Sequence, residues 1–179
     1  ERDGVVEEVT LDRDIYYWYI VHPRIEDEHP YMIDAWAACD SSTLECGEKE
    51  AGKGDFWRHF LWEGAAETCP DGSFCPVLQD AMGEATVLYN GKQGGEAQGA
   101  VREIVEFMLS SSPDTGARWF NFGAHDERSI QPSRIYALGR GNCGEWADMT
   151  SALSRTALIP NVNPTPSSWD HTWSAFHDG

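Results

Sequence analysis

Residues 139–160 read GRGNCGEWADMTSALSRTALIP, a glycine- and asparagine-rich loop that turns into a helix. Asn142 is a good helix cap, and Ala147, Thr150, Leu153 and Ala157 fall on one stripe, which predicts a helix from Cys143 or Gly144 to Ala157. Cys143 then sits in the first turn, where unpaired backbone N–H groups and the helix dipole favour a thiolate over a thiol. Gly139, Gly141 and Gly144 flank it. Residues without side chains let a substrate backbone approach the sulfur, and they equally suit a tight turn. Cys143 therefore reads as a nucleophile or as a spare thiol.

A thiolate nucleophile needs a base, usually a histidine brought close by the fold. The candidates are His22, His29, His59, His125, His171 and His177. In WDHTWSAFHDG (169–179), strand alternation would put His171, Trp173 and Ala175 on one face. His171, with an aromatic residue two positions on, is the expected partner.

Working outward, EAQGAVREIVEFMLSS (96–111) places Val101, Ile104, Val105 and Met108 at helical spacing, with Arg102, Glu103 and Glu106 outward. The glycine-rich NGKQGGEAQG (90–99) before it is the clearest break in composition, a domain boundary or a loop. Ile135 to Leu138 form a short apolar piece leading to the glycine loop. GDFWRHFLWEGAAE (54–67) is a helix candidate whose Phe56, Phe60 and Leu61 would fill a core. LDRDIYYWYIVH (11–22) suits a strand or a helix, and HPRIEDEHP (22–30), closed by prolines, reads as a connection.

The other four cysteines lie in two short polar brackets, Cys39 to Cys46 and Cys69 to Cys75. The local pairing within each bracket competes with the other pairings and with a zinc site, although neither gap has the tight spacing of a zinc knuckle. Paired, they place the protein in an oxidising compartment: secreted, periplasmic or at the cell surface. Cys143 is then left over.

The chain of 179 residues is the size of one domain, with 41% hydrophobic residues and eight tryptophans to build a core. Its 30 acids against 13 bases give a net charge of −17, which repels phosphate backbones and argues against nucleic acid as a partner. No run of about 18 apolar residues offers a membrane span. No EF-hand spacing appears, and no metal or cofactor is called for. The chain has neither an initiator Met nor a leader, as expected of a processed or trimmed chain.

Taken together, GNC (141–143), SALSRTALIP (151–160) and HTW (171–173) resemble the transglutaminase-like superfamily. That family carries a G-x-C at a helix start, a helix exit of the type A-x-L-x-R-A-x-G-I-P, and an H-x-W strand. Gly141, Cys143, Ala147, Leu153, Arg155, Ile159 and Pro160 match in order and spacing over about residues 99–179. The resemblance implies an α+β, papain-like core with a cysteine-bearing helix packed on an antiparallel sheet that carries the histidine, preceded by an N-terminal extension over 1–98. It also implies acyl transfer at a protein or peptide amide, with Cys143 as the nucleophile forming a thioester and His171 as base and then acid. The backbone N–H of Cys143 would help hold the oxyanion, and Trp119 is the nearest upstream indole that could add a donor. The family's orienting acid lies on the strand after H-x-W, where this chain ends; Asp170 and Asp178 are nearby but poorly placed. Either that strand is missing, which would leave the core truncated at its C-terminus, or a dyad suffices. A catalytically silent module that binds polypeptide is the alternative.

Overall fold

A helix starts at Cys143 because Asn142, in an extended conformation, forms a capping box with Glu145: the Asn142 side chain accepts from the Glu145 N–H, and Glu145 Oε2 accepts from the Asn142 N–H at 3.0 Å. The structure is a computed structural model that describes residues 10–25, 39–40, 45–46, 57–64, 74–82, 99–123, 131–164 and 171–176. Among these residues the elements are helices α1 (Arg13–Tyr16), α2 (Trp57–His59), α3 (Leu78–Met82), α4 (Ala100–Leu109), α5 (Pro132–Leu138) and α6 (Cys143–Thr156). Tyr17–Val21 and Phe60–Gly64 continue α1 and α2 as π-helical turns. The strands are β1 (Cys39–Asp40), β2 (Glu45–Cys46), β3 (Asn121–Phe122), β4 (Arg140–Gly141), β5 (Asn161–Val162) and β6 (Ala175–Phe176). They pair as β1–β2 and β5–β6, antiparallel, and β3–β4, parallel. The architecture is mixed α and β, as the sequence predicts.

The Cys143 helix runs where expected, but it is not amphipathic. Every residue from Ala147 to Thr156 is buried. Its polar side chains tolerate burial by turning back on the helix: Thr150, Ser154 and Thr156 hydroxyls donate to the carbonyls of Trp146, Thr150 and Ala152 at 2.7, 2.6 and 2.8 Å. Small residues also let neighbours approach closely. The first π-helical turn, α2, α4, α5, β4 and β5 all pack on α6. The core joins its Met149, Ala152 and Leu153 to Ile104, Phe107 and Met108 of α4, Ile135 and Tyr136 of α5, and Trp57, Phe60, Leu61 and Leu78. Residues from both sides of position 98 thus share one core.

The remaining elements correct the sequence reading in detail. Within 11–22 the chain is helical from Arg13 to Val21, capped by Asp12, whose Oδ1 accepts from the Asp14 N–H at 2.8 Å. In α4 the buried face is Ala100, Ile104, Phe107 and Met108, while Val105 is 44% exposed. Burying Phe107 removes more apolar area from water than burying Val105, so the helix is turned accordingly. The apolar piece at 135–138 belongs to α5, which has Pro132 in its first turn and ends on Gly139 at φ 57°. A Cβ at Gly139 would lie 2.6 Å from the Trp119 carbonyl oxygen, and one at Gly141 would overlap the Glu145 Cβ. Both glycines let β4 pass tightly between β3 and the start of α6.

Tyr136 makes the core sensitive to alkali. Its side chain is fully buried, its hydroxyl donates to the Pro76 carbonyl, and burial holds its pKa far above the ordinary tyrosine value. A folded-state pKa above the unfolded one contributes stability below the unfolded value, about 10, and that stability is lost as pH rises beyond it. Thermal melts should therefore show a fall in melting temperature above about pH 10 that is shallower in Tyr136→Phe; identical slopes would contradict the assignment.

Candidate functional site

β4 delivers the chain directly to the capping box, so Cys143 emerges where a parallel strand pair ends and α6 begins. The box takes up the N–H groups of Asn142 and Glu145, and the Trp146 N–H donates to the Asn142 carbonyl at 2.9 Å. Those of Cys143 and Gly144 lie outside these bonds, at the positive end of a fourteen-residue helix. Glu145 is buried, its side chain closing the capping box beside Cys143.

Cys143 and His171 line one cavity of about 400 Å³, together with Val105, Phe122, Trp146, Thr150, Thr172, Trp173, Ser174 and Phe176. Cys143 is half-buried and is the free cysteine among the described residues. The His171 ring is exposed, with the Trp173 ring 6.4 Å away at a 35° tilt. No hydrogen bond joins the two side chains; catalytic pairs often tighten only around a substrate. Of the other histidines, His22 stacks on Tyr17 and Trp18 and His59 is exposed on α2, away from this cavity. His29, His125 and His177 lie outside the described residues, as do Asp170 and Asp178.

The His171 segment differs from the expected strand. The ladder covers only Ala175–Phe176, and residues of both parities from 171 to 174 line the cavity. Side chains hold this stretch instead: the Thr172 hydroxyl donates to the Pro164 carbonyl at 3.2 Å, and the Ser174 hydroxyl to the Ala147 carbonyl at 3.2 Å. Trp119 is not at the site. It is 7% exposed and packs in the core at 5.0, 5.8 and 4.6 Å from the Phe107, Phe120 and Tyr136 rings, where it lines a separate cavity. Aromatic burial decides its place, and no indole donor reaches Cys143 from there.

The sequence reading passed over the walls. Phe122 and Trp173 are 70% and 44% exposed, and Val105 faces the same opening. The Trp146 ring is anchored by Phe120 at 5.1 Å and faces Phe122 at 6.5 Å. Exposed apolar residues gathered around one opening mark a binding surface more than scattered ones do. No periodic signal announces these side chains, which come from four different segments. The Asn142-x-x-Glu145 box, by contrast, was open to reading as a capping signature.

No family model, curated protein or solved structure matches the chain. Leu158 stands at the glycine of the G-I-P exit pattern and has φ 62°, the left-handed conformation that favours glycine after a helix. Its N–H donates to the Arg155 carbonyl at 3.2 Å, and the Ile159 N–H to the Ser154 carbonyl at 2.8 Å.

Cys75 is disulfide-bonded, and its neighbour by bracket, Cys69, lies outside the described residues. The β1–β2 register sets Cys39 opposite Cys46. Among the described residues no cluster of His, Cys, Asp or Glu could hold a metal ion, and no helix is long and apolar enough to cross a membrane.

Proposed function

We propose that the protein is a cysteine acyltransferase or amidase of transglutaminase-like type, acting on protein or peptide amides through a Cys143 thioester. The observation that carries this reading is the single cavity shared by Cys143, at the start of a buried helix, and His171. The glycine-like backbone at Leu158 supports the family resemblance.

In the mechanism His171 takes the Cys143 proton, and the thiolate attacks the amide carbonyl carbon. The Cys143 and Gly144 N–H groups donate to the carbonyl oxygen as it takes on negative charge. The C–N bond breaks as the imidazolium returns the proton to the leaving amine. Water or a second amine then gives its proton to His171 and attacks the thioester, releasing Cys143. The apolar walls, Val105, Phe122, Trp146, Trp173 and Phe176, favour an acyl group with an apolar side chain beside the carbonyl. The same walls would also hold a polypeptide without reacting with it, which is the silent-module reading. We take the protein to act outside the cytoplasm, because cysteines paired within their two brackets suit an oxidising compartment.

Iodoacetamide alkylation of Cys143, followed against pH by peptide mass, separates the readings. In an enzyme the wild type should react at neutral pH at least ~10-fold faster than His171→Ala. Matching profiles in the two proteins, each rising like an unassisted thiol, would remove the catalytic pair.

A further inference from the structure

Residues 171–174 lie outside the β5–β6 ladder, and side chains that hold them lead back to a buried acid on the cysteine helix. The β5–β6 register pairs Val162 with Ala175, and carried one step further it sets Asn163 against Ser174. The Ser174 hydroxyl lies 3.4 Å from Asn163 Oδ1 as well as 3.2 Å from the Ala147 carbonyl. Asn163 Nδ2 donates to Asp148 Oδ1 at 2.9 Å, and Asn163 Oδ1 accepts from Ser151 at 2.5 Å. Asp148 is 5% exposed, on α6 and five residues beyond Cys143.

The chemistry of these groups orders them. With Asp148 Oδ1 accepting from the Asn163 NH2, the amide oxygen is turned towards Ser151 and Ser174. Ser151 has a single proton, yet both Asn161 Oδ1 and Asn163 Oδ1 lie within reach of it. The Asn161 Nδ2 is buried without a partner. With the Asn161 amide turned about, its NH2 donates to Ser151, and the Ser151 proton goes to Asn163. Ser174 also has a single proton, given either to the Ala147 carbonyl at 3.2 Å or to Asn163 Oδ1 at 3.4 Å, and either bond ties the segment to α6 three residues from His171.

We infer that Asp148, Asn163 and Ser174 are positioning residues that hold the His171 segment against the helix bearing Cys143. This rests on the proposed Cys143–His171 chemistry. Cys143 and His171 are the titratable groups lining the cavity among the described residues. Asp148 therefore acts through geometry, by way of Asn163, on where the imidazole stands.

The test is the pH profile of Cys143 alkylation by iodoacetamide in wild type, His171→Ala, Asn163→Ala, Ser174→Ala and Ser174→Thr, with a melting temperature for each. Ser174→Ala and Asn163→Ala are expected to lose about 10-fold of the neutral-pH rate, because a misplaced base is a poor one, and to take on the His171→Ala profile. Ser174→Thr, which keeps the hydroxyl, should retain the wild-type profile. Should Asn163→Ala fail to fold, the half-buried Ser174 pair carries the test. If wild type differs from His171→Ala while Ser174→Ala and Asn163→Ala stay like wild type, the positioning role is wrong and the catalytic reading stands. If wild type and His171→Ala coincide, both fall.

Discussion

Cys143→Ala is expected to abolish acyl transfer while leaving the fold in place. With the p-nitrophenyl ester of an N-protected phenylalanine as acyl donor, turnover should fall at least ~10³-fold, since removal of a covalent nucleophile leaves only binding and oxyanion contributions. Intact mass after brief exposure to the ester should show an added acyl group on wild type and none on the variant. Cys143 is half-buried and its thiol makes no hydrogen bond among the described residues, so the melting temperature should move by no more than about 2 °C. Equal turnover by the two proteins would show that the sulfur is not the nucleophile. Absence of turnover in both, with tight binding of an apolar peptide, would favour the silent module.

The largest stability effect is expected at Arg155, which is 3% exposed. Its Nε and Nη2 donate to the Asn161 carbonyl at 3.2 and 3.1 Å, and its Nη1 to the Arg24 carbonyl at 2.9 Å. One planar guanidinium thus ties α6 both to β5 and to the segment after α1. Arg155→Ala strands buried carbonyls and opens a void, a loss of about 3 kcal/mol. For a domain of this size that is a fall of roughly 6–12 °C in melting temperature. Arg155→Lys keeps the charge but not the fork, and should recover less than half of the loss. Because β5 pairs with the strand that follows His171, neutral-pH alkylation of Cys143 should weaken in parallel. A melting temperature within about 2 °C of wild type would refute the tether.

The outcomes at particular residues show why some of this was legible in the sequence. Helix starts are local events, so Asn142 and Cys143 could be read from neighbours in the chain. The same holds for α4, although Val105 was assigned to the wrong face because a four-residue period does not say which of two adjacent apolar stripes finds the larger partner. The strand expected around His171 failed for a non-local reason: β6 extends only as far as β5 offers hydrogen bonds, and β5 is two residues long. Trp119 was ambiguous because an indole serves equally as donor and as core, and only its three aromatic neighbours decide which.

By itself, then, the sequence determined the local setting of Cys143, a capped helix entered through glycines, and it put His171 forward among six histidines. Tertiary structure decided that α6 is buried on all sides, that Val105, Phe122 and Trp173 wall the cavity, and that Asn163 joins Asp148 to Ser174. The division follows from range. Capping and turn chemistry act over a few residues and leave a pattern in the chain, whereas burial and side-chain bridges join residues whose separation in sequence carries no period to read.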